Sequence, residues 1–437
     1  MPIGTLNRRR FVAGAAGAAG AGALGVAAML RPWQALLDAA DRDPLQPGTG
    51  VLVLVTLYGG NDGLNTVVPY ADSRYHDARP DLAYGADQVL RIDDGLGLNP
   101  SLKGLAKLWG EHRLAVVQGV GYPKPDRSHF RSMDIWQTAS PERPVHTGWV
   151  GRWLDATGTD PLRAVAIGAT LPLLLAGEKV AGAAVPLGPL AVPSGPQGQA
   201  FRSVEARYAG QPPLAARVAQ SGEDLLTVAG RLRSVLAGVG ESEQSGPVLE
   251  GSGGKGGLEL APMPGLAAGH GTGRGKRAGR GGELADQLDV VARMIKAGVP
   301  TRVYNVSLGG FDTHADEKGT QERLLSELDA GITGFFDRLG EDPRGRGVVL
   351  ATFSEFGRRV AANASDGTDH GTAGPMLVAG RPVRGGLYGE APDLGALDDG
   401  DLRSTTDFRR VFATLLERVL GSDGELLGGA YEPMGLV

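Results

Sequence analysis

Cysteine is missing from all 437 residues. Disulfides, thiolate metal sites and cysteine nucleophiles are excluded together. Neither sign of charge is in large excess, since 44 Lys and Arg face 49 Asp and Glu for a net −5. Such a chain has no field to collect a polyanion, which argues against nucleic acid as a partner. Hydrophobic residues at 42% and charged residues at 21% are ordinary for a globular protein, and they exclude wholesale disorder and a multi-span membrane protein. A prior of roughly 150 residues per domain allows two or three domains, although large α/β enzymes often spend this length on one. Glycine is the excess, at 70 residues, and it is spent unevenly.

Two segments stand apart. Asn7-Arg8-Arg9-Arg10-Phe11-Val12 sets paired arginines before a phenylalanine, and the chain from Ala13 to Leu30 is then uncharged and rich in Ala and Gly. This reads as a twin-arginine signal peptide over residues 1–40. The expected partner is the twin-arginine translocase, and the expected location is the periplasm, the cell envelope or the medium. Glycine makes the segment a poor spanning helix, so no stable membrane span is expected in the mature chain. The second segment, 240–282, interleaves Gly with Ser, Pro, Lys and Arg, and it has too few apolar residues to order itself. It is expected to be a disordered insert between two helices, with Arg274, Lys276, Arg277 and Arg280 as solvated charges.

The remainder alternates strand and helix signals. Apolar runs at 51–57, 114–118, 301–308, 347–353 and 375–379 read as strands buried on both faces. Helical spacing appears in Leu284, Leu288, Val291 and Ile295; in Leu325, Leu328, Ile332, Phe335 and Leu339; and in Phe408, Val411, Phe412, Leu415 and Val419. The pattern predicts one α/β domain over 48–437, a mostly parallel sheet with helices on both faces.

Ligands of such sheets bind beyond the carboxyl ends of the strands, so the residues after each run matter. Tyr58-Gly-Gly-Asn-Asp62-Gly63 follows the first, and Asp126-Arg127-Ser128-His129-Phe130 follows the second. Gly309-Gly-Phe-Asp312-Thr-His314 follows the third. Ser354-Glu355-Phe356-Gly357-Arg358 follows the fourth, with Asp366-Gly-Thr-Asp369-His370-Gly371 before the fifth. Three of the seven histidines sit in these loops, among carboxylates. Imidazole and carboxylate together suit Zn²⁺, Mn²⁺ or a similar ion. Asp312, His314 and His370 form one candidate site. Asp62 and Glu355 form a second, with Asp369 as a further ligand or as support for His370. Simpler roles stand beside these: Asp126 or Ser128 as a helix cap, Asp62 in a turn, and Arg358 paired with Glu355. His76, His112, His146 and His270 lack acidic companions and read as surface or structural.

These motifs resemble a bacterial family of twin-arginine-exported proteins with a domain of unknown function. The resemblance is carried by Leu57-Tyr-Gly-Gly-Asn-Asp-Gly-Leu-Asn-Thr-Val-Val-Pro69, Arg127-Ser-His-Phe130, Gly310-Phe-Asp-Thr-His314, Ser354-Glu-Phe-Gly-Arg358 and Gly367-Thr-Asp-His-Gly371. Asp401-Leu402 and Thr406-Asp407-Phe408-Arg409 complete it. That family is similar to the alkaline phosphatase and sulfatase superfamily. The resemblance implies an alkaline phosphatase-like α/β core with one or two divalent ions, Zn or Mn. It makes Ser128 the nucleophile, Asp62 and Glu355 ligands of one metal, and Asp312, His314 and His370 ligands of the other. Phe356 stands where the superfamily has a histidine, with His129 as its replacement. A sulfatase is disfavoured, because Ser128 is followed by His129-Phe130 and there is no cysteine.

Two functions follow. One is an exported metal-dependent hydrolase of phosphate or related anionic esters, in which Arg127 or Arg358 holds the substrate anion. The other is a non-catalytic, metal-stabilised protein on the same fold that binds an envelope polymer. The insert yields the first test: removing 240–282 should leave the melting temperature within a few degrees of the parent, and a large drop in a thermal melt would mean that it packs on the core.

Overall fold

Alternate residues of the first apolar run enter different cores. Val51, Val53, Val55 and Leu57 belong to one buried cluster, whereas Leu52 and Leu54 belong to another. A computed structural model, which describes residues 36–187 and 282–437, places this run as β1 (Val51–Tyr58) in the interior of a sheet. The other strands are β2 (Leu114–Gly121), β3 (Ala164–Ile167), β4 (Ala183–Val185) and β5 (Val303–Gly309). After them come β6 (Val348–Ser354), β7 (Gly374–Gly380), β8 (Gly386–Tyr388) and β9 (Thr406–Asp407). The order across the sheet is β8-β2-β7-β6-β1-β5-β3-β4, with β9 beside β2.

The helices are α1 (Ser73–Ala78), α2 (Lys103–Gly110), α3 (His129–Thr138), α4 (Trp149–Thr157), α5 (Glu283–Lys296), α6 (Glu317–Leu339) and α7 (Phe408–Thr414). Leu105 of α2, Leu288 of α5 and Leu328 of α6 bury against one face of the sheet. Trp136 of α3, Trp153 of α4 and Phe412 of α7 bury against the other. The expected α/β layering with helices on both faces is therefore present. A three-stranded sheet of Val67–Val68, Leu90–Arg91 and Gly97–Leu98 lies apart, near a smaller cluster that includes Leu64, Tyr75 and Tyr84.

The core also reaches back past residue 48, because Leu36, Leu37 and Leu45 join the first cluster. A boundary drawn at the first strand missed these apolar side chains. The rest of the expected signal segment, 1–35, and insert residues 240–281 lie outside the described residues. Among the described residues, no helix is long and apolar enough to cross a membrane.

Pairing in this sheet is parallel except at β7, which runs antiparallel to both β6 and β2. The reason lies in its connection. A parallel return needs a crossover, usually helical, but residues 355–373 contain no helix. The chain leaves β6 and re-enters β7 at the same edge. Tyr58 pairs with Gly309, and Leu57 with Ser354, so the loops after β1, β5 and β6 start side by side at that edge.

Candidate metal centre

Four loops meet there. The loop after β5 brings Asp312 and His314, the return between β6 and β7 brings Asp369 and His370, and α3 begins with His129. Gly59 permits the close approach: it has φ +117, and a Cβ at this position would lie 2.4 Å from the backbone nitrogen of Asp312.

Each histidine is anchored through Nδ1. His129 Nδ1 lies 2.9 Å from Glu355 Oε1, His314 Nδ1 3.1 Å from Asp369 Oδ1, and His370 Nδ1 2.9 Å from the Arg127 carbonyl. Carboxylates and carbonyls only accept, so these bonds place a proton on every Nδ1 and leave the Nε2 lone pairs free in the neutral rings. Those lone pairs converge. His314 Nε2 and His370 Nε2 are 3.0 Å apart and lie 3.0 and 3.1 Å from Asp312 Oδ1. His129 Nε2 is 3.5 Å from Asp312 Oδ2.

Lone pairs this close to one another and to a carboxylate repel unless positive charge lies among them. The spacing suits a metal ion: ligand bonds of about 2.0–2.1 Å put neighbouring ligands roughly 2.9–3.4 Å apart. The charge states of Asp312 and His370 favour the same arrangement. Burial alone would raise the Asp312 carboxyl, but the hydrogen bond and charge of Arg358 act against it, and the group is brought down to about 2. Burial lowers His370 and favours its neutral, ligating form. The Glu355 hydrogen bond raises His129, against a smaller opposing effect of burial.

Several expected site residues are placed differently. Glu355 is buried and accepts from the Gly59 N–H at 2.8 Å and from His129, so it anchors a histidine where the sequence suggested a metal ligand. Arg358, 1% exposed, is not at the surface to meet a substrate anion. It donates to the carbonyls of Gly59, Gly60, Phe311 and Thr368 and to Asp312 Oδ1 at 2.9 Å, and it does not pair with Glu355. Asp369 supports His314 where His370 had been expected. Arg127 remains on the rim, paired with Asp401. Ser128 is exposed at the head of α3; its hydroxyl makes no capping bond, and its N–H donates to Asp126 Oδ1 at 2.8 Å. Phe356 packs against His129 and His370, with ring centroids 4.9 and 4.7 Å away, and gives the site an apolar wall.

Asp62 lies in a separate buried network. Its Oδ2 pairs at 2.5 Å with Arg79 Nη1, both side chains being fully buried. Arg79 also donates to the carbonyls of Val360 and Arg359, each at 2.8 Å. An inaccessible carboxylate with its own guanidinium is not available to a metal. Glu317, the first residue of α6, carries no signal in the sequence beyond that of an acid in a helix's first turn. Glu317 Oε2 accepts from Thr368 Oγ1 at 2.6 Å, two residues before His370. Asp62 Oδ1 and Glu317 Oε1 are both buried without another donor. One proton shared between the two carboxyls satisfies both oxygens. Burial and the neighbouring Asp62 push Glu317 up to about 9, whereas Arg79 overcomes burial and holds Asp62 low.

Residues 267–430 match a family model described as "Protein of unknown function (DUF1501)". A solved structure of a protein in the alkaline phosphatase superfamily from Vibrio parahaemolyticus is similar at 10% sequence identity and a TM-score of 0.33, over 89% of this chain and 74% of that one. No curated protein matches the sequence.

The carboxyl pair predicts a pH signature. Glu317 binds its proton more tightly folded than unfolded, so its contribution to stability is complete below its ordinary value of 4.5 and is lost as pH rises through about 9. Asp62, Arg79, Tyr75 and Thr368 are the groups that face it. Glu317→Gln mimics the protonated acid and should remove a decline on the order of a few kcal/mol across that window. Parallel stability–pH curves for parent and variant, from denaturant melts, would mean that Glu317 is ionised.

Proposed function

We propose that this chain is an exported metal-dependent hydrolase of phosphate or related anionic esters, working with one resident divalent ion of the Zn or Mn type. The observation that carries the reading is the convergence of Nδ1-anchored imidazoles on Asp312. Outer hydrogen bonds of this kind orient metal-ligating histidines and make them better donors. His129, Asp312 and His370, whose ligand atoms all lie within 4.8 Å of one another, would hold the ion, with His314 Nε2 beside them at 3.0 Å from His370 Nε2. When bound, it would supply Lewis acidity toward an ester oxygen.

The chain's own groups fill the other roles. Ser128 is exposed immediately before His129 and would serve as the attacking hydroxyl. The first N–H groups of α3 beside it have no intrahelical partner and favour a developing negative charge. Arg127 would orient the substrate anion, its guanidinium set by Asp401. The side chains of Asp312 and His314 are 48% and 45% exposed, open enough for a bulky ester. Export rests on the paired arginines of the leader.

The alternative, a non-catalytic metal-stabilised polymer-binding protein, draws support from the withdrawal of Asp62, Glu355 and Arg358. With Asp62 and Glu355 engaged elsewhere, no second ion has a ligand set among the described residues, and Arg127 is the sole expected anion-binding arginine left at the rim.

Elemental analysis should find close to one Zn or Mn per chain after purification without chelator. Asp312→Ala with His370→Ala should lower metal retention by at least about a hundredfold and abolish hydrolysis of phosphomonoesters and phosphodiesters. Ser128→Ala should keep the metal and lose roughly a thousandfold or more in turnover. A parent that holds metal and hydrolyses no anionic ester supports the alternative. A parent with neither metal nor a thermal shift on adding Zn²⁺ or Mn²⁺ sinks both.

A further inference from the structure

β2 and β7 lose their one-to-one register near the rim. Gly374 pairs with Val120 and Met376 with Val117, so Pro375 alone stands opposite Gln118 and Gly119. Both sides suit the irregularity. Gly119 has φ +58, and a Cβ there would overlap the Thr405 hydroxyl, so this backbone needs glycine. Pro375 has no N–H to offer the ladder. A bulge of two residues against one re-aims the side chains beside it.

Next to this bulge lies a pocket of about 180 Å³, with walls that include Leu64, Val67, Pro392, Leu394 and Leu402. No side chain of the candidate metal centre lines it. Gln118 does, and it is only 8% exposed. Among the described residues nothing hydrogen-bonds its amide, and its polar atoms are absent from the fully enclosed ones left without a partner. The amide therefore meets the pocket and not the protein. An amide open to the pocket in this way can hydrogen-bond whatever fills it. The one charged residue in the lining, Asp72, is already engaged by the Arg74 backbone N–H and guanidinium through both oxygens.

We infer that this pocket binds a small uncharged molecule with an apolar body and an amide-like donor–acceptor edge, which Gln118 engages. A primary amide presents a donor and an acceptor side by side, and another amide edge complements it. The size class follows from volume: a cavity of about 150 Å³ takes benzene, and drug-sized ligands need roughly 300 Å³ or more. An anion would lose its hydration there without finding a free cation.

Benzamide is the probe, titrated into the purified protein and followed by NMR shifts of the Leu64, Leu394 and Leu402 methyl groups, with benzoate and ethylbenzene as controls. Benzamide should bind in the millimolar range or tighter, at least about tenfold better than benzoate. Gln118→Leu should weaken benzamide about tenfold while ethylbenzene binds as well or better. Ala391→Trp, on the exposed lip of the pocket, should block all three probes without lowering the melting temperature. The inference is overturned if benzamide causes no shifts at those methyl groups, if a folded Gln118→Leu protein binds it unchanged, or if Ala391→Trp leaves its affinity intact.

Discussion

Imidazole lone pairs aimed at a single carboxylate are an unstable arrangement unless something positive sits among them, and the architecture of this rim is built to hold them in that state. The anchors at Nδ1 are spread over three segments: Glu355 at the end of β6, Asp369 in the return loop, and the Arg127 carbonyl ahead of α3. None of these rings can turn away without breaking a bond. Arg358 acts on the acceptor side. Buried beneath the loops, it fixes Asp312 and ties together the backbone around Gly59, Phe311 and Thr368. The repulsion is thus imposed by the fold, and without a cation the rings have no relaxed alternative short of protonation.

The antiparallel β7 makes this possible. Had the chain crossed over after β6, as a parallel strand requires, His370 would have been carried off on a helix. Because residues 355–373 stay at one edge, the loop holding Asp369 and His370 folds back over Asp312 and His314. The clamp under it is the buried carboxyl pair. Glu317 receives Thr368, and its backbone N–H reaches Asp366 at 2.9 Å, so the start of α6 grips the loop just ahead of its histidine.

The buried strands were legible in the sequence because they carry apolar runs too long to face water, and their polar termini marked the rim. Asp312, His314 and His370 could be grouped on that basis alone. What could not be read were the partners of the buried charges. Arg79 lies 17 residues after Asp62 in an unremarkable stretch, so nothing local says that the aspartate is neutralised. Glu355 and Arg358 are near neighbours in sequence and invite a salt bridge, yet the turn between them sends one toward His129 and the other under Asp312. His129 reads in the sequence as the stand-in for the histidine that Phe356 displaces; its approach to Asp312, which comes from a different strand end, leaves no local signal. The direction of β7 was hidden as well, since a buried strand reads the same either way.

Charge separates the two networks and argues for one ion over two. Around the converging imidazoles stand Asp312, Glu355 and Asp369, with Arg358 as the buried counter-charge. Three carboxylates and one guanidinium leave two negative charges, which a divalent ion matches. Around Asp62 stand Arg79 and a protonated Glu317, and this set is already neutral. A second dication there would meet a guanidinium at close range in a dry interior, where like charges repel most strongly. Arg79 therefore does for Asp62 what a metal would have done: it compensates the buried carboxylate, and through Val360 and Arg359 it fastens the loop that follows Arg358. The same strand-end motif that reads as a ligand set thus serves stability on one side of the rim and, under the proposed function, would hold a cation on the other.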